Sequence, residues 1–354
     1  MKDQRPILDA RGRPPAPTIK DVALAAGVSI GTVSKVMNNT GTIAPATRER
    51  VAGVARQLQF RPNTLAQSLH SGLSGSIGLI SNDSFGRFTM PIMEGLEAVL
   101  ALAGVGVFMC NATEDPAREQ LHLDQLLAKQ IDGLVVTARR SDYRPSVRLG
   151  GLGVPVIYVF AHSDDPDALT LLPDDEGGAR LAVDHLLQTG RRRIAHITGP
   201  AHFEAVVLRQ AGYHDALTRA GLAPLPTLHG KWSERWGREA VAWLIAPGAI
   251  PPDAILCGND QIARGAADAL REAGLRVPQD VALVGFDNWG VMAEACRPPL
   301  SSVDMRLHDL GAEAGRRMLA MIGGTQERGL ERLPCTLVVR ASSAATTEIL
   351  AHAE

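Results

Sequence analysis

The chain has 354 residues, of which 45% are hydrophobic and 21% charged. That is the composition of a globular protein with room for two or three folding units. No run approaches the ~20 apolar residues of a membrane span. The polar, Pro-rich stretch 1–17 lacks the apolar core of an export signal, so a cytoplasmic chain without membrane contact is expected. The net charge of −2 is unevenly spread. Residues 1–72 carry ten Lys/Arg against four Asp/Glu, an excess of six positive charges, and the remainder has an excess of eight negative ones. A basic head on an acidic body implies that the head meets a polyanion. Cys110, Cys257, Cys296 and Cys335 lie far apart with no CxxC pair, which predicts reduced thiols and neither a disulfide framework nor a metal site.

Residues 1–17 read as a disordered tail. Within it, Arg11-Gly-Arg-Pro14 looks like the core of a minor-groove-binding AT-hook, although weak phosphate attraction explains it as well. Thr18 can cap a helix running to Ala26, with Ile19, Val22 and Ala23 at helical spacing. Gly27 suits a left-handed turn, and Val28 can plug the space between two helices. Ser29 then caps a helix from Ile30 to Asn38, whose Val33, Val36 and Met37 face inward. A third helix opens at Pro45 or Thr47 and ends at Leu58, burying Val51, Val54, Ala55 and Leu58. Three short helices, the first two separated by Gly27-Val28-Ser29, form a helix-turn-helix pattern over 18–62. The second helix would enter the major groove of double-stranded DNA. Ile30 and Gly31 would then lie nearest the bases, and Lys35, one turn on, could donate to guanine. Ser29, Thr32, Ser34 and Asn38 are short donors suited to phosphates.

Pro62 ends the third helix, and Asn63 can cap a short one through His70, followed by the flexible Ser71-Gly-Leu-Ser-Gly75. The hinge therefore covers 63–75. From 76 to 343 short apolar runs alternate with helical stretches. Strands are predicted at 77–80, 105–110, 133–136, 154–160, 194–198, 254–257 and 281–285. Helices are predicted at 91–103, 117–129, 177–189, 205–220, 234–246 and 261–273. This rhythm implies an α/β body with parallel sheets covered on both faces, ending in a short polar tail, 344–354. Open α/β sheets bind ligands beyond the carboxyl ends of their strands. Asn82, Asp83, Thr137, Asn259, Asp260, Asp287, Asn288 and Trp289 follow strands and are candidate contacts. No GxGxxG joins a strand to a helix, so no dinucleotide cofactor is expected. No nucleophile–base pair or metal triad stands out, so no enzymatic activity is expected. Asp174-Asp175-Glu176 reads as the cap of the helix beginning at Gly177.

Thr18-Ile-Lys-Asp-Val-Ala-Leu-Ala-Ala-Gly-Val-Ser-Ile-Gly-Thr-Val-Ser-Lys-Val-Met-Asn-Asn39, Ala46-Thr-Arg-Glu-Arg-Val51 and Phe60-Arg-Pro-Asn63 resemble the start of LacI/GalR (lactose-repressor) family regulators. Ile131-Asp-Gly-Leu134, Leu208-Arg-Gln-Ala-Gly-Tyr213, Gly258-Asn-Asp-Gln-Ile-Ala263, Val284-Gly-Phe-Asp287 and Pro298-Pro-Leu-Ser-Ser-Val303 resemble their regulatory domain. The resemblance implies a helix-turn-helix domain plus a two-lobed, periplasmic-binding-protein-like effector domain. It implies a homodimeric repressor on a near-palindromic operator, controlled by a small-molecule effector, by family habit a sugar. In the family the hinge helix enters the minor groove. There Leu69 matches the leucine that wedges a base step, Ala66 a small contact residue, and Asn63 the start of the helix. Arg209, Asn259 and Asp287 match effector-binding residues. Trp232 sits where a sugar-stacking tryptophan occurs, and Phe88 sits near an aromatic that closes the pocket. Trp289 could add a second platform, and Asn82 and Thr137 are strand-end contacts. Two departures limit what carries over. Gly31 and Lys35 replace a larger side chain and an Arg or His. Phe160 stands at a position where a family member has an acidic ligand contact. A purine or sugar-phosphate effector, a periplasmic-type sugar-binding protein and an enzyme using the cleft are the alternatives.

Overall fold

The computed structural model describes residues 17–38, 40–61, 72–147 and 153–344. The expected tails and most of the hinge, including Asn63, Ala66 and Leu69, lie outside the described residues. The chain divides into two compact units, Met1–Ser74 and Gly75–Glu354.

The first unit holds α1 (Ile19–Ala26), α2 (Ile30–Met37) and α3 (Pro45–Gln57). The expected caps form. The Thr18 hydroxyl accepts from the Asp21 N–H while the Asp21 carboxylate accepts from the Thr18 N–H at 2.7 Å, a reciprocal capping box. Gly27 ends α1 with φ +62°, a left-handed conformation that costs glycine nothing. Ser29 accepts from the Thr32 N–H at 3.1 Å to start α2. Val22, Ala26, Val33, Val36, Val51 and Ala55 form the core, with Val28 and Leu58 packed against it. Pro45 opens α3, where its missing N–H would find no helical partner in any case.

The second unit is a two-lobed α/β body. Its strands are β1 (Ser76–Ser81), β2 (Gly106–Asn111), β3 (Gly133–Thr137), β4 (Tyr143–Arg144), β5 (Val156–Val159), β6 (His162–Ser163), β7 (Leu169–Pro173), β8 (Ile194–Thr198), β9 (Leu228–His229), β10 (Ala254–Cys257), β11 (Ala282–Phe286), β12 (Ser301–Asp304), β13 (Gly329–Leu333) and β14 (Thr336–Val338). Its helices are α4 (Thr89–Leu100), α5 (Pro116–Ala128), α6 (Asp175–Gln188), α7 (Glu204–Arg219), α8 (Glu234–Leu244), α9 (Asp260–Glu272), α10 (Gly290–Ala293) and α11 (Leu307–Ile322). The first lobe is a parallel sheet in the order β13-β7-β5-β3-β1-β2. The second runs β14-β12-β11-β10-β8-β9, parallel except where β14 pairs antiparallel with β12. β4 and β6 form a separate two-stranded ribbon beside the first lobe. The central strands are buried along their whole length, as expected where helices cover both faces. The chain passes between the lobes three times, from β7 to α6, from β12 to α11 and from β13 to β14.

Every predicted body element exists, with ends shifted by one or two residues at most places. The expected elements do not include β4, β6, β7 or β9, nor, beyond residue 285, α10, β12, α11, β13 and β14. α11 carries Gly311 and Gly315, poor helix formers, because it packs directly on α4. A Cβ on Gly311 would fall 1.9 Å from the Ile92 carbonyl oxygen, and one on Gly95 would fall 1.8 Å from that of His308. Gly311→Ala should therefore push two helices apart and lower stability by about 1–3 kcal/mol. Urea unfolding of the variant measures this, and a midpoint equal to the wild type would show that the pair can separate freely.

Candidate functional site

On the first unit, α2 presents its opening turn outward. Ser29, Ile30, Gly31, Lys35 and Asn38 are exposed, and Thr32 and Ser34 are half-buried. Ile30 is 45% exposed although apolar, so nothing in its own unit takes it up. A Cβ on Gly31 would meet only the Ser29 hydroxyl, at 3.8 Å, which leaves open space for a close approach. The stem of Lys35 lies over Gly41, and Lys35 is exposed. All four expected phosphate donors already make local hydrogen bonds: Ser29 caps α2, and its hydroxyl meets that of Thr32 at 2.9 Å. Asn38 donates to the Ser34 hydroxyl at 3.4 Å.

In the body, the carboxyl ends of the strands of both lobes converge on a cavity of about 740 Å³. Its wall includes Asp83 and Phe88 after β1, Arg139 and Arg140 after β3, Phe160 after β5, Phe203 after β8, Asn259 after β10, and Asp287 and Trp289 after β11. Arg209 enters from α7, and Trp232 precedes α8. Six of the eight effector candidates therefore meet there: Phe88, Arg209, Trp232, Asn259, Asp287 and Trp289. Asn82 and Thr137 do not line this cavity. The Asn82 side-chain oxygen accepts from the Arg139 N–H at 2.7 Å, and Asn82 borders a neighbouring cavity of the first lobe. Thr137 is fully buried, and its hydroxyl has no hydrogen-bond partner. A strand-end position is thus not necessary, as Arg209 and Trp232 show, and not sufficient, because the side chain must also point into the cleft.

The floor of the cleft is a buried ion cluster. Arg209 is 5% exposed and Asp175 is 0% exposed. The Arg209 Nε donates to the Asp175 Oδ1 at 2.7 Å, Nη1 donates to the Gly258 carbonyl, and the guanidinium lies 3.6 Å from the centre of the Phe286 ring. Asp287 Oδ1 faces Arg209 at 3.8 Å, and its other oxygen binds Arg87. Burial pushes the Asp175 and Asp287 carboxyls up from their ordinary range, opposed in Asp175 by Arg209 and in Asp287 by Arg87 and then Arg209. Asp260 is also raised, first by burial and then by the charge of Asp287. Its carboxylate accepts from the Trp289 N–H and the Ser302 hydroxyl, both at 2.6 Å.

The backbone that delivers Asp287 is unusual. Asp287 and Asn288 have φ of +97° and +47°, conformations that cost of order 1–3 kcal/mol each and persist only when their surroundings enforce them. Here the Asp287 N–H donates to the Val303 carbonyl at 2.8 Å, the Asn288 N–H to the Ser302 hydroxyl at 3.0 Å, and the Trp289 N–H to Asp260. Phe160 is also left-handed, at φ +54°, and stacks on Phe88 with centroids 4.9 Å apart.

Several local roles coexist with cavity lining. Asn259 caps α9 through the Ile262 N–H at 2.9 Å and still borders the cavity. Trp232 packs against the second-lobe core and lies flat on Gly199, where a Cβ would fall 2.3 Å from the ring. Asp174, not Asp175, caps α6, through the Gly177 N–H at 2.9 Å. The reading of Asp174-Asp175-Glu176 as one cap missed Asp175 as the partner of Arg209. It also missed Arg87, Arg139, Arg140 and Phe203. The adjacent Asp-Asp pair was the one available signal, since a cap needs a single carboxylate. Among the described residues no cluster of His, Cys, Asp and Glu could hold a metal ion, and no helix is long and apolar enough to cross a membrane.

An outward-facing helix-turn-helix and a two-lobed α/β body enclosing a polar-floored, aromatic-walled cleft define a two-domain DNA-binding regulator. Residues 18–63 match the family described as "Bacterial regulatory proteins, lacI family", and residues 183–343 match a "Periplasmic binding protein-like domain". The chain is 30% identical over 341 residues to the HTH-type transcriptional repressor CytR of Escherichia coli K12, covering 96% of this chain and 99% of that protein. It is 32% identical over 333 residues to the HTH-type transcriptional repressor PurR of Haemophilus influenzae PittEE, covering 92% and 98%. A crystal structure of the lac repressor dimer bound to operator and the anti-inducer ONPF superposes with a TM-score of 0.72 at 30% identity, covering 94% of this chain and 100% of that one. The chain belongs to the LacI family.

One buried group beneath the cleft makes stability depend on pH. His196 on β8 is fully buried, neither ring nitrogen has a hydrogen-bond partner, and burial pushes it down to about 3. Unfolding returns it to about 6.5. Below pH 6.5 the unfolded chain therefore binds the extra proton, and this contribution to stability is lost as pH falls. Between pH 6.5 and 5, His196→Leu should gain about 2 kcal/mol relative to the wild type. Urea unfolding of both proteins at the two pH values measures it, and a pH-independent difference would contradict it.

Proposed function

We propose that the protein is a transcriptional repressor whose affinity for a near-palindromic operator is set by a small molecule bound in the interlobe cleft. The observation that carries the DNA half is the opening turn of α2, which offers an exposed Ile30, an open Gly31 and an exposed Lys35 on a unit with a basic excess. Lys35 reads a guanine, Ile30 meets a thymine methyl, and Gly31 admits the base edges closely. Ser29, Thr32, Ser34 and Asn38 hold phosphates. Asn63 opens the hinge helix, Ala66 contacts the minor groove, and Leu69 wedges the central step, at a cost of a few kcal/mol offset by contacts to the bent duplex. Two heads on one duplex require two chains, and a homodimer supplies them. The family relationship and the lac repressor dimer at 94% coverage of this chain support that assembly.

For the effector half, we infer a sugar or a sugar-containing metabolite. Arg209, Asp287 and Asn259 supply donors and acceptors for hydroxyls at the floor, and Trp232, with Phe88 and Trp289, supplies flat apolar walls. A purine that meets the same aromatic walls is the second reading, favoured by the stacked Phe88–Phe160 pair at the place expected to be acidic. The body senses, with no reaction assigned to it.

The test is selection of bound sequences from a random duplex pool with the full chain. A near-palindrome should emerge. Lys35→Ala should relax one base position in each half-site, at a cost of about 1–3 kcal/mol. Equal loss on all sequences would make Lys35 a phosphate contact. Leu69→Ala should lose specific affinity and keep salt-sensitive non-specific binding, and unchanged specific affinity at fixed salt would remove the wedge.

A further inference from the structure

Arg87 lies in the loop between β1 and α4, in the first lobe, yet its guanidinium binds the carboxylate of Asp287 in the second. The group is flat and packs against two rings: its central carbon lies 4.4 Å from the centroid of the Trp289 ring and 4.9 Å from that of Phe88. Its side chain is only 14% exposed, and its Nε is buried without a hydrogen-bond partner. Arg87, Phe88, Asp287 and Trp289 border both the cleft cavity and a second cavity of about 570 Å³. The four therefore form the partition between the two spaces, and Arg87 is the piece that touches the other three.

We propose that Arg87 is a positioning residue that clasps the two lobes by occupying the carboxylate of Asp287 against two aromatic rings, so that the group read as a ligand contact also serves as a lock between the lobes. The proposal rests on the reading of Asp287 as an effector residue. Three features carry it. The ion pair joins residues 200 positions apart across the cleft. Both partners are removed from water, where an ion pair is screened little. The cation has aromatic faces on which a guanidinium stacks and an ammonium does not. Arg209 cannot take over the role, since it belongs to the same lobe as Asp287, which it faces at 3.8 Å. A molecule that brings a hydroxyl donor to the Oδ2 of Asp287 competes there with Arg87, and displacing it frees the first lobe from the second at this edge. A second bridge remains elsewhere, where Glu204 of the second lobe accepts from His162 at 2.8 Å and Arg332 at 2.6 Å.

The experiment is a double-mutant cycle on the full, ligand-free chain with Arg87→Ala, Asp287→Ala and the pair, read by urea unfolding and tryptophan emission. The two losses should be non-additive by about tenfold in the unfolding equilibrium constant. Arg87→Ala should shift the emission, and Trp289→Phe should abolish that shift. Arg87→Lys keeps the charge without the flat group, so it should recover stability in part and leave the emission as in Arg87→Ala. Ethylguanidinium chloride should restore the emission of Arg87→Ala and leave that of the double variant unchanged, whereas an equal concentration of tetramethylammonium chloride should do neither. Additive losses, or no rescue by ethylguanidinium, would overturn the clasp and leave the proposed function standing. If the cycle couples but Asp287→Asn still responds to ligand as the wild type does, the clasp stands and the reading of Asp287 as a ligand contact fails.

Discussion

The body is organised around one buried guanidinium. Removing the charge of Arg209 from water costs several kcal/mol, and only close partners offset that. The chain supplies them from three places: Asp175 at the start of α6, the Gly258 carbonyl at the end of β10, and Asp287 at the end of β11. Each lies at the carboxyl edge of the second lobe or at a crossing between lobes. Satisfying one cation therefore fixes the relative position of the segments that make the floor of the cleft. The strained backbone at Asp287 and Asn288 follows from this, because the carboxylate must turn back toward Arg209 while its N–H stays paired with Val303. Asp260, beneath them, holds Trp289 and Ser302 together and is raised first by burial and then by the charge of Asp287.

Close packing of glycine-bearing helices supports that arrangement. α4 and α11 in the first lobe touch through Gly95 and Gly311. α8 and α9 in the second touch through Gly237 and Gly265, where added Cβ atoms would fall 2.1 Å from the Ile262 and 1.9 Å from the Glu234 carbonyl oxygens. Such contacts leave each lobe little freedom to deform internally. Motion is then directed to the three interlobe crossings and to the cleft, the behaviour that a ligand-sensing body requires.

Much of this was legible in the sequence, for physical reasons that differ by region. The head was read nearly to the residue because its helices are delimited by local chemistry: Thr18 with Asp21, Gly27, Ser29 and Pro45 all act within a few positions. Most buried strands were legible as short apolar runs, although β7, buried along its whole length, was missed. α11 was not, since Gly311 and Gly315 lower its propensity in favour of a contact more than 200 residues away, and β12 reads as polar because its serines bond to Asp260 and to residues 340–343. At the site, family resemblance and strand-end position pointed to Arg209, Asn259 and Asp287. The same rule placed Thr137 and Asn82 in the cavity wrongly, since side-chain direction at a strand end is not encoded locally. Arg87 and Asp175 escaped notice because their meaning lies in partners distant in sequence.

The central claim is that the cleft and the operator are linked through one body, and linkage requires that each ligand change the affinity for the other by the same factor. The most direct measurement is titration of the full chain with its selected operator duplex, alone and with each member of a panel of mono- and disaccharides, sugar phosphates, purines and nucleosides, in the wild type and in Asp287→Asn. The account predicts one compound class that shifts operator affinity by about 5–150-fold, an effect lost in the variant while operator binding itself persists. Operator affinity that no compound alters, or an effect that survives in Asp287→Asn, would contradict it.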